Sequence, residues 1–384
     1  MTSRSYPLLK KATMRILTES DVKRCLPISV TIAANRKALS SLRASEDGGA
    51  FVPTRIGLPY SGKESSSAST STPADWSLFK PAAYYPAQTG NSDNADETLM
   101  GVKVVSPRAN NSLINKPTCP ATIMLLNAET GEASAVIAAT YLTAARTAAG
   151  SAIATEMACP TSAEGLTLVV FGAGLQGELH IKAIQHVVNI KKVVIVNRSK
   201  DRAEKLKASL LSITAEEVEP DSKTKIPIHD ISIVLLSDKK LVQKVVEIAD
   251  VIVTATNTCE PLFSGLLPKS GCHVNGVGSY TPFMKEIDED LVNRCEVLVD
   301  TKESLEVGDL SPLRNEDGTT KEHFAGLIGD ALTGEITFGS HRDLQRKVDC
   351  TFFKSVGTAI QDVVTAQIVY DYAVKENVGL TIDM

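Results

Sequence analysis

Aromatic side chains are scarce in this sequence, at 5% of 384 residues with a single tryptophan, Trp76. Little material is therefore available for the aromatic platforms on which nucleic-acid bases stack. An excess of positive charge is missing too. The 40 Lys and Arg stand against 45 Asp and Glu, a net charge of −5. That balance excludes a global basic field for nucleic acid or an anionic membrane. No apolar run approaches the roughly 20 residues that cross a bilayer. The seven cysteines stand singly, at 25, 119, 159, 259, 272, 295 and 350, without a C-x-x-C pair. A disulfide scaffold and a zinc site are thereby disfavoured, no metal is expected, and the thiols read as reduced and intracellular. The opening MTSRSYPLLKKATMR is basic and has no acid before Glu19, a faint transit-peptide character, but it lacks the apolar core of a secretory signal. An untargeted cytoplasmic protein is expected over a mitochondrial one.

What is present has the size and composition of two or three globular domains. ILTESDVKRCL (16–26) reads as a strand end running into a helix capped by Thr18 or Ser20. SGKESSSASTSTP (61–73) reads as an exposed loop, because nothing in it can nucleate a core. LMGVKVVSP (99–107) reads as a strand, and ATIMLLNAETGEASAVI (121–137) as a hairpin turning at ETGE. The Ala-dense 138–158 predicts a long helix with one charge, Arg146, among small residues.

From 166 onward strands alternate with helices: LTLVVF, KKVVIVN, ADVIVTAT, HVNGVGS and CEVLVD are continuous apolar strands. ISIVLLS (231–237) is ambiguous, and the polar 213–228 reads as an inserted loop. Such alternation predicts an α/β fold, a doubly wound parallel sheet covered on both faces. Past about 310 the strands are expected to stop, with the FFKSVGTAIQDVVTAQIVYDYAVKE stretch forming an amphipathic helix that packs on the N-terminal strands.

The sharpest local motif is LTLVVFGAGLQGELH. Gly172, Gly174 and Gly177, with Ala173, Leu175 and Gln176 between them, form G-x-G-x-x-G between a predicted strand and a predicted helix. The first glycine permits the tight turn, the second lets the backbone approach a pyrophosphate, and the third lets helix and strand pack closely. The free N–H groups of the helix start then face that pyrophosphate. At the end of the next strand, where an NAD site carries an acid, the sequence has Asn197-Arg198-Ser199. Losing the acid removes repulsion toward a 2′-phosphate, and Arg198 adds a cation. NADP(H) is therefore expected over NAD(H); the plain alternative is a solvated Arg at a helix start.

With these motifs placed, the chain resembles the ornithine cyclodeaminase/mu-crystallin family from about 16 to 375. The resemblance is carried by VPTRIGLP (52–59), GVKVVS (101–106), YLTAARTAAGSAIAT (141–155), VVFGAGLQGELH (169–180), VNRSKDRAEKL (196–206), VNGVGSYTP (274–282), EVLVDTKES (296–304) and FFKSVGTAIQD (352–362). It implies a Rossmann domain at 146–324 inserted in a second α+β domain, 1–145 plus 325–384, for substrate binding and homodimerisation. It implies hydride transfer between a nicotinamide and a C–N bond next to a carboxylate. The expected carboxylate clamp is Arg55, Lys103 and Arg146. Thr256 and Val277 are expected to join the cofactor contacts.

Each clamp residue has a plain alternative: Arg55 a surface loop residue, Lys103 an edge-strand gatekeeper, and Arg146 an ion-pair partner between helices. Ornithine cyclodeaminases carry an Asp after the V-G-G turn that follows the fifth strand, and here Val277-Gly278-Ser279 leads to Tyr280. Tyrosine cannot act as a carboxylate base near neutral pH. That departure, with Asn197, points to an NADPH-dependent ketimine reductase in which Lys103 or Tyr280 protonates the imine; Tyr280 otherwise only walls the pocket. The alternatives are an ornithine cyclodeaminase, an amino-acid or opine-type dehydrogenase, and a non-catalytic NADPH-binding protein. Asp300 and Asp330 are further polar candidates, Asp300 reading first as a structural cap, and Lys354 and Ser355 are expected to border the nicotinamide.

Overall fold

The computed structural model describes residues 13–42, 49–59, 76–86, 98–159, 162–212, 230–315, 317–339 and 348–384. The Ser/Thr-rich 61–73 stretch, the polar 213–228 segment and residues 1–12 lie outside them. Two sheets organise the chain. The first begins with β1 (Thr13–Leu17), β2 (Ala50–Phe51), β3 (Ile56–Pro59), β4 (Trp76–Tyr84), β5 (Leu99–Val105), β6 (Ala121–Leu126) and β7 (Ala133–Ala138). The second contains β8 (Leu166–Phe171), β9 (Ile190–Asn197), β10 (Ile231–Leu235), β11 (Val251–Thr254), β12 (His273–Gly276), β13 (Cys295–Val299), β14 (Phe324–Leu327) and β15 (Cys350–Lys354). A last strand, β16 (Leu380–Asp383), returns to the first sheet beside β1.

The first sheet runs β16-β1-β7-β6-β5-β4-β2, with β3 also pairing β4, and most neighbours are antiparallel. The expected hairpin is β6 and β7. The second runs β10-β9-β8-β11-β12-β15-β13-β14 and is parallel throughout. Its first five positions follow the strand order of a dinucleotide-binding fold, which puts the ligand crevice at the carboxyl ends of β8 and its neighbours. The ambiguous ISIVLLS is strand β10. Continuous burial of Leu168, Val169, Val170 and Phe171 explains why β8 shows no polar alternation. Each such fully buried side chain contributes roughly 1.5–3 kcal/mol.

Nine α-helices lie among the described residues: α1 (Glu19–Cys25), α2 (Ile28–Ser40), α3 (Thr140–Ala158), α4 (Leu175–Val187), α5 (Lys200–Leu211), α6 (Lys239–Glu247), α7 (Glu289–Arg294), α8 (Ile328–Leu332) and α9 (Ala359–Lys375). Thr18 caps α1 in a capping box with Asp21. The alanines of α3 are buried almost without exception, and they let it pack closely against α2 and α4. A division at 145/146 falls inside this helix.

Beyond 310 the strands do not stop, because β14, β15 and β16 follow. CTFFK forms β15 in the second sheet, past the expected boundary at 325, and the helix starts only at Ala359. The cause is local. Gly357 takes a φ of +74°, which breaks any helix passing through it, and Phe352 and Phe353 are both fully buried between strands. As expected, α9 packs on the N-terminal strands, against β4, β5 and β6.

Candidate functional site

The glycine loop joins β8 to α4. Gly172 has a φ of +111°, and a Cβ there would lie 2.5 Å from the Ala255 carbonyl oxygen. A Cβ on Gly177 would lie 2.1 Å from the Gly172 carbonyl oxygen. Both are therefore required by the protein's own packing. Gly174 differs: a Cβ there meets nothing within 4 Å. The open side of the loop is the place where a pyrophosphate would approach, and α4 offers it 13 helical residues and no side-chain cap at Gly174. The geometry fits a dinucleotide.

Asn197 ends β9 and ties two loops together. Its Oδ1 accepts from the Ala173 N–H at 3.2 Å, and its Nδ2 donates to the Ser199 carbonyl at 2.8 Å. Ser199 caps α5, its hydroxyl accepting from the Arg202 N–H. Arg198 between them is exposed.

Thr256 and Val277 follow β11 and β12. Thr256 donates from both N–H and Oγ1 to Glu286 Oε1, at 2.6 and 2.7 Å. Glu286 Oε2 accepts from Thr254 Oγ1 at 2.9 Å and from the Gly278 N–H at 2.7 Å. One buried carboxylate thus clasps the carboxyl ends of two strands. Burial, with Asp309 nearby, pushes its pKa up against the pull of Lys354 and these donors. Lys354, expected at the nicotinamide, is instead fully buried, with Nζ 2.7 Å from Asp309 Oδ2. Ser355 donates to Asp300, which also accepts from Ser304 and from the Gly357 N–H. Asp300 is therefore a structural cap, and Ser355 serves it. Asp330 lies at the start of α8, where its carbonyl accepts from Glu335 and Ile336.

The expected clamp residues come from three elements. Lys103 is on β5, Arg146 on α3, and Arg55 just before β3. Lys103 is no edge-strand residue, since β5 lies between β4 and β6. Its Nζ is 2.6 Å from Asp362 Oδ2, and Arg146 Nε is 2.9 Å from Asp362 Oδ1. All three side chains are buried, at 4% exposure or less. Arg146 thus forms the ion pair that was its alternative reading, with α9 as the partner helix. Burial alone would raise Asp362, but Arg146, Lys103 and Lys80 outweigh it and hold its carboxyl below the usual value. Gln361 braces the group, joining Arg146 to Asn35 on α2. A Cβ on Gly357 would fall 2.0 Å from Arg146 Nη1, so only glycine lets the guanidinium lie there.

Arg55 is half-buried and lines a small cavity with Lys80, Thr301, Glu303, Gly357 and Thr358. The cavity lies just past the carboxyl ends of β13 and β15, the side of the sheet that also carries the glycine loop. Burial would raise the Glu303 carboxyl, but Thr301, its own N–H, Arg55 and Lys80 bring it below the usual value. A broader open hollow beside Lys200, Glu204, Asp238 and Lys239 contains none of the expected site residues. Tyr280 is half-buried, and burial pushes its phenol up to about 12.

Sequence reasoning missed Lys80, Asp362, Glu286 and Glu303. Asp362 closes the FFKSVGTAIQD segment that carried the resemblance, so a signal for it existed. Glu303 likewise lies in EVLVDTKES, another segment that carried it, whereas Glu286 had no signal beyond lying after a predicted strand.

Comparison with known proteins adds the following. The sequence model of the ornithine cyclodeaminase/mu-crystallin family matches residues 89–377. The chain is 34% identical over 386 residues to an uncharacterized cyclodeaminase of Dictyostelium discoideum, covering 97% of this chain and all of the relative. It is 33% identical over 288 residues to a Delta(1)-pyrroline-2-carboxylate reductase of Bacillus cereus, covering 74% of this chain and 80% of that one. The Thermococcus litoralis Delta(1)-pyrroline-2-carboxylate reductase, solved with NADH and L-proline, superposes with a TM-score of 0.76 at 26% identity. That superposition covers 96% of this chain and all of that one.

Proposed function

We propose, since the chain belongs to the ornithine cyclodeaminase/mu-crystallin family, that it is an NADPH-dependent reductase of a small cyclic imino acid bearing a carboxylate. The observation that carries this reading is a buried group of cations, Lys103 and Arg146 on Asp362 with Arg55 and Lys80 beside them. It lies on the carboxyl-end side of a dinucleotide-binding sheet. A nicotinamide cofactor supplies hydride for reduction of C=N. Gly172–Gly177, Thr256 and Val277 are the residues that would hold it.

Arg55, Lys103 and Arg146 hold the substrate carboxylate. Asp362 keeps the last two in place before substrate arrives, and with Nη1 of Arg146 donating to Gln361, Nη2 is the guanidinium nitrogen that turns to the carboxylate. Holding the reacting atoms in near-attack geometry accounts for roughly 7–11 kcal/mol of barrier reduction. Tyr280 keeps its proton throughout the neutral range and serves as a hydrogen-bond donor on the pocket wall.

Preference for NADPH rests on Arg198, which is exposed beside the ribose position and unopposed by an acid at Asn197. Asn197 and Ser199 shape the turn that presents it. A homodimer is supported by the apolar edge of the first sheet, where Phe51, Ile56 and Leu58 are 60%, 62% and 53% exposed. No helix among the described residues is long and apolar enough to cross a membrane. A cytoplasmic site of action agrees with the reduced thiols expected from the sequence.

The test is a paired assay. Purified protein receives NADPH with cyclic imino acids of different ring size, followed by absorbance. In parallel it receives NAD with ornithine, followed by ammonia release. NADPH oxidation dependent on an imino acid is expected. Ammonia from ornithine without net NAD reduction would make the protein a cyclodeaminase, and tight NADPH binding without any turnover would make it a binding protein.

A further inference from the structure

Lys80 on β4 stands directly opposite Lys103 on β5 in the antiparallel register. Both side chains therefore leave the same face of the sheet, where like charges repel. Both are buried, Lys80 at 6% exposure and Lys103 at 1%. Only Lys103 has a carboxylate in direct contact, Asp362 at 2.6 Å. The Lys80 Nζ donates to the main-chain carbonyl of Gly357 at 2.8 Å and forms no ion pair among the described residues. Lys80 also forms part of the cavity wall with Arg55, Thr358 and Glu303, which Lys103 does not. A buried ammonium facing a cavity, held by a single neutral acceptor, is free to redirect its hydrogen bonds to a ligand.

We propose that Lys80 is the proton donor of the reduction, its ammonium hydrogen-bonding the substrate nitrogen and protonating it. This role rests on the imino acid reductase reading. The balance is simple. The C=N carbon receives the hydride from the dihydronicotinamide, forming a C–H bond. The C=N π pair moves to nitrogen and takes a proton from Lys80 Nζ, forming N–H. Lys80 is left as a neutral amine and regains a proton from water, and the oxidised nicotinamide departs.

Lys103 is less suited, because its ammonium is already committed to Asp362. The surroundings of Lys80 agree with the role. Burial lowers its amine to about 8; Asp362 on α9 and Asp300 after β13 pull upward, while Arg146 on α3 and Arg55 push further down. Lys103 on β5 and Glu303 past β13 also face it. Such an ammonium is charged at neutral pH yet gives up its proton readily.

Two variants separate proton from charge. Lys80→Gln removes both, and Lys80→Arg keeps the charge but cannot release a proton. NADPH oxidation with a cyclic imino acid is followed from neutral to alkaline pH, and calorimetry follows binding of pyrrole-2-carboxylate, a planar cyclic carboxylate. Wild-type kcat should fall as pH rises through about 8. Both variants should lose about 10²-fold or more in kcat and lose that alkaline limb, while the probe still binds within about tenfold of wild type, as expected when a proton donor alone is lost. A limb set by the substrate's own ionisation stays in all three. Restoration of kcat by Lys80→Arg, or an unchanged limb in Lys80→Gln, overturns the role. Loss of probe binding in both variants makes Lys80 a carboxylate ligand and overturns it as well. Absence of wild-type turnover on every imino acid refutes the reductase reading itself, and this role with it.

Discussion

Replacing Asp362 by Asn leaves Lys103 and Arg146 buried without the anion they share, and the cost can be worked from the geometry. Each pair has its charged atoms less than 3 Å apart, at 2.6 and 2.9 Å. With an effective dielectric constant near 20, each attraction is about 6 kcal/mol. Desolvation of all three groups and repulsion between the two cations offset most of that sum. What is left when one partner is removed is about 3–5 kcal/mol, a large share of the roughly 5–15 kcal/mol that holds a protein folded.

Urea unfolding followed by circular dichroism measures it. The midpoint of Asp362→Asn should drop by an amount equivalent to about 3–5 kcal/mol. Adding Lys103→Met to that variant should recover part of the loss, because one buried cation then has no charge to shed. A loss below about 1 kcal/mol, the range of exposed pairs, would refute the idea that this group is sealed from water. The acid side follows with its sign. The folded carboxyl lies below its ordinary value of 3.8, burial being outweighed by Arg146, Lys103 and Lys80. Its contribution is complete above about pH 4 and is lost as pH falls through the lower folded value. Asp362→Asn should lack that part of the wild-type acid sensitivity.

Other variants address separate parts. Arg55→Ala removes a charged hydrogen-bond donor of about 1.5–3 kcal/mol, so the imino acid KM should rise about 10- to 100-fold with kcat little changed; an unchanged KM excludes Arg55 from the clamp. Arg198→Asp should weaken NADPH about 100-fold while leaving NADH within a few-fold, read by quenching of protein fluorescence or by cofactor KM; equal losses for both would place the 2′-phosphate elsewhere. Gly174→Ala should leave unfolding within about 0.5 kcal/mol of wild type yet weaken cofactor binding. Gly177→Ala should destabilise by at least about 1–3 kcal/mol, because its Cβ would meet backbone. Similar effects of the two on stability would refute the distinction between a glycine kept for ligand and one kept for packing.

The legibility of the molecule divides along physical lines. Gly172, Gly174 and Gly177 could be read because a short motif between a strand and a helix needs no distant information. The apolar runs of β8, β9, β11, β12 and β13 showed themselves for the same reason. Asp362 could not be weighed from sequence, since an Asp on an amphipathic helix looks solvated until folding brings it to Arg146, 216 residues away. Lys80 was hidden by its register: only the pairing of β4 with β5 sets it opposite Lys103. The ion pair of Lys354 was hidden in the same way, because its partner Asp309 comes from a short 3-10 helix, Gly308–Leu313, that sequence pattern did not reveal. The FFKSVG stretch was read as helix because two buried phenylalanines and a following amphipathic pattern fit either period, and only Gly357 separates them.

The place of β15 has a consequence for how the polypeptide is made. It is the last strand of the parallel sheet to be synthesised, yet it sits in the interior, between β12 and β13. Until residue 354 has left the ribosome, β13 and β14 have no edge to join, and β12 presents an unpaired one. The chain that closes this gap runs directly into α9, whose Asp362 seals the other unit. Completion of one sheet and neutralisation of the cations beside the other are thus delivered by the same thirteen or so residues, late in translation. Neither unit can be cut out and expected to fold alone, and a nascent chain stalled before 350 would carry an open β edge of the kind that recruits chaperones or aggregates.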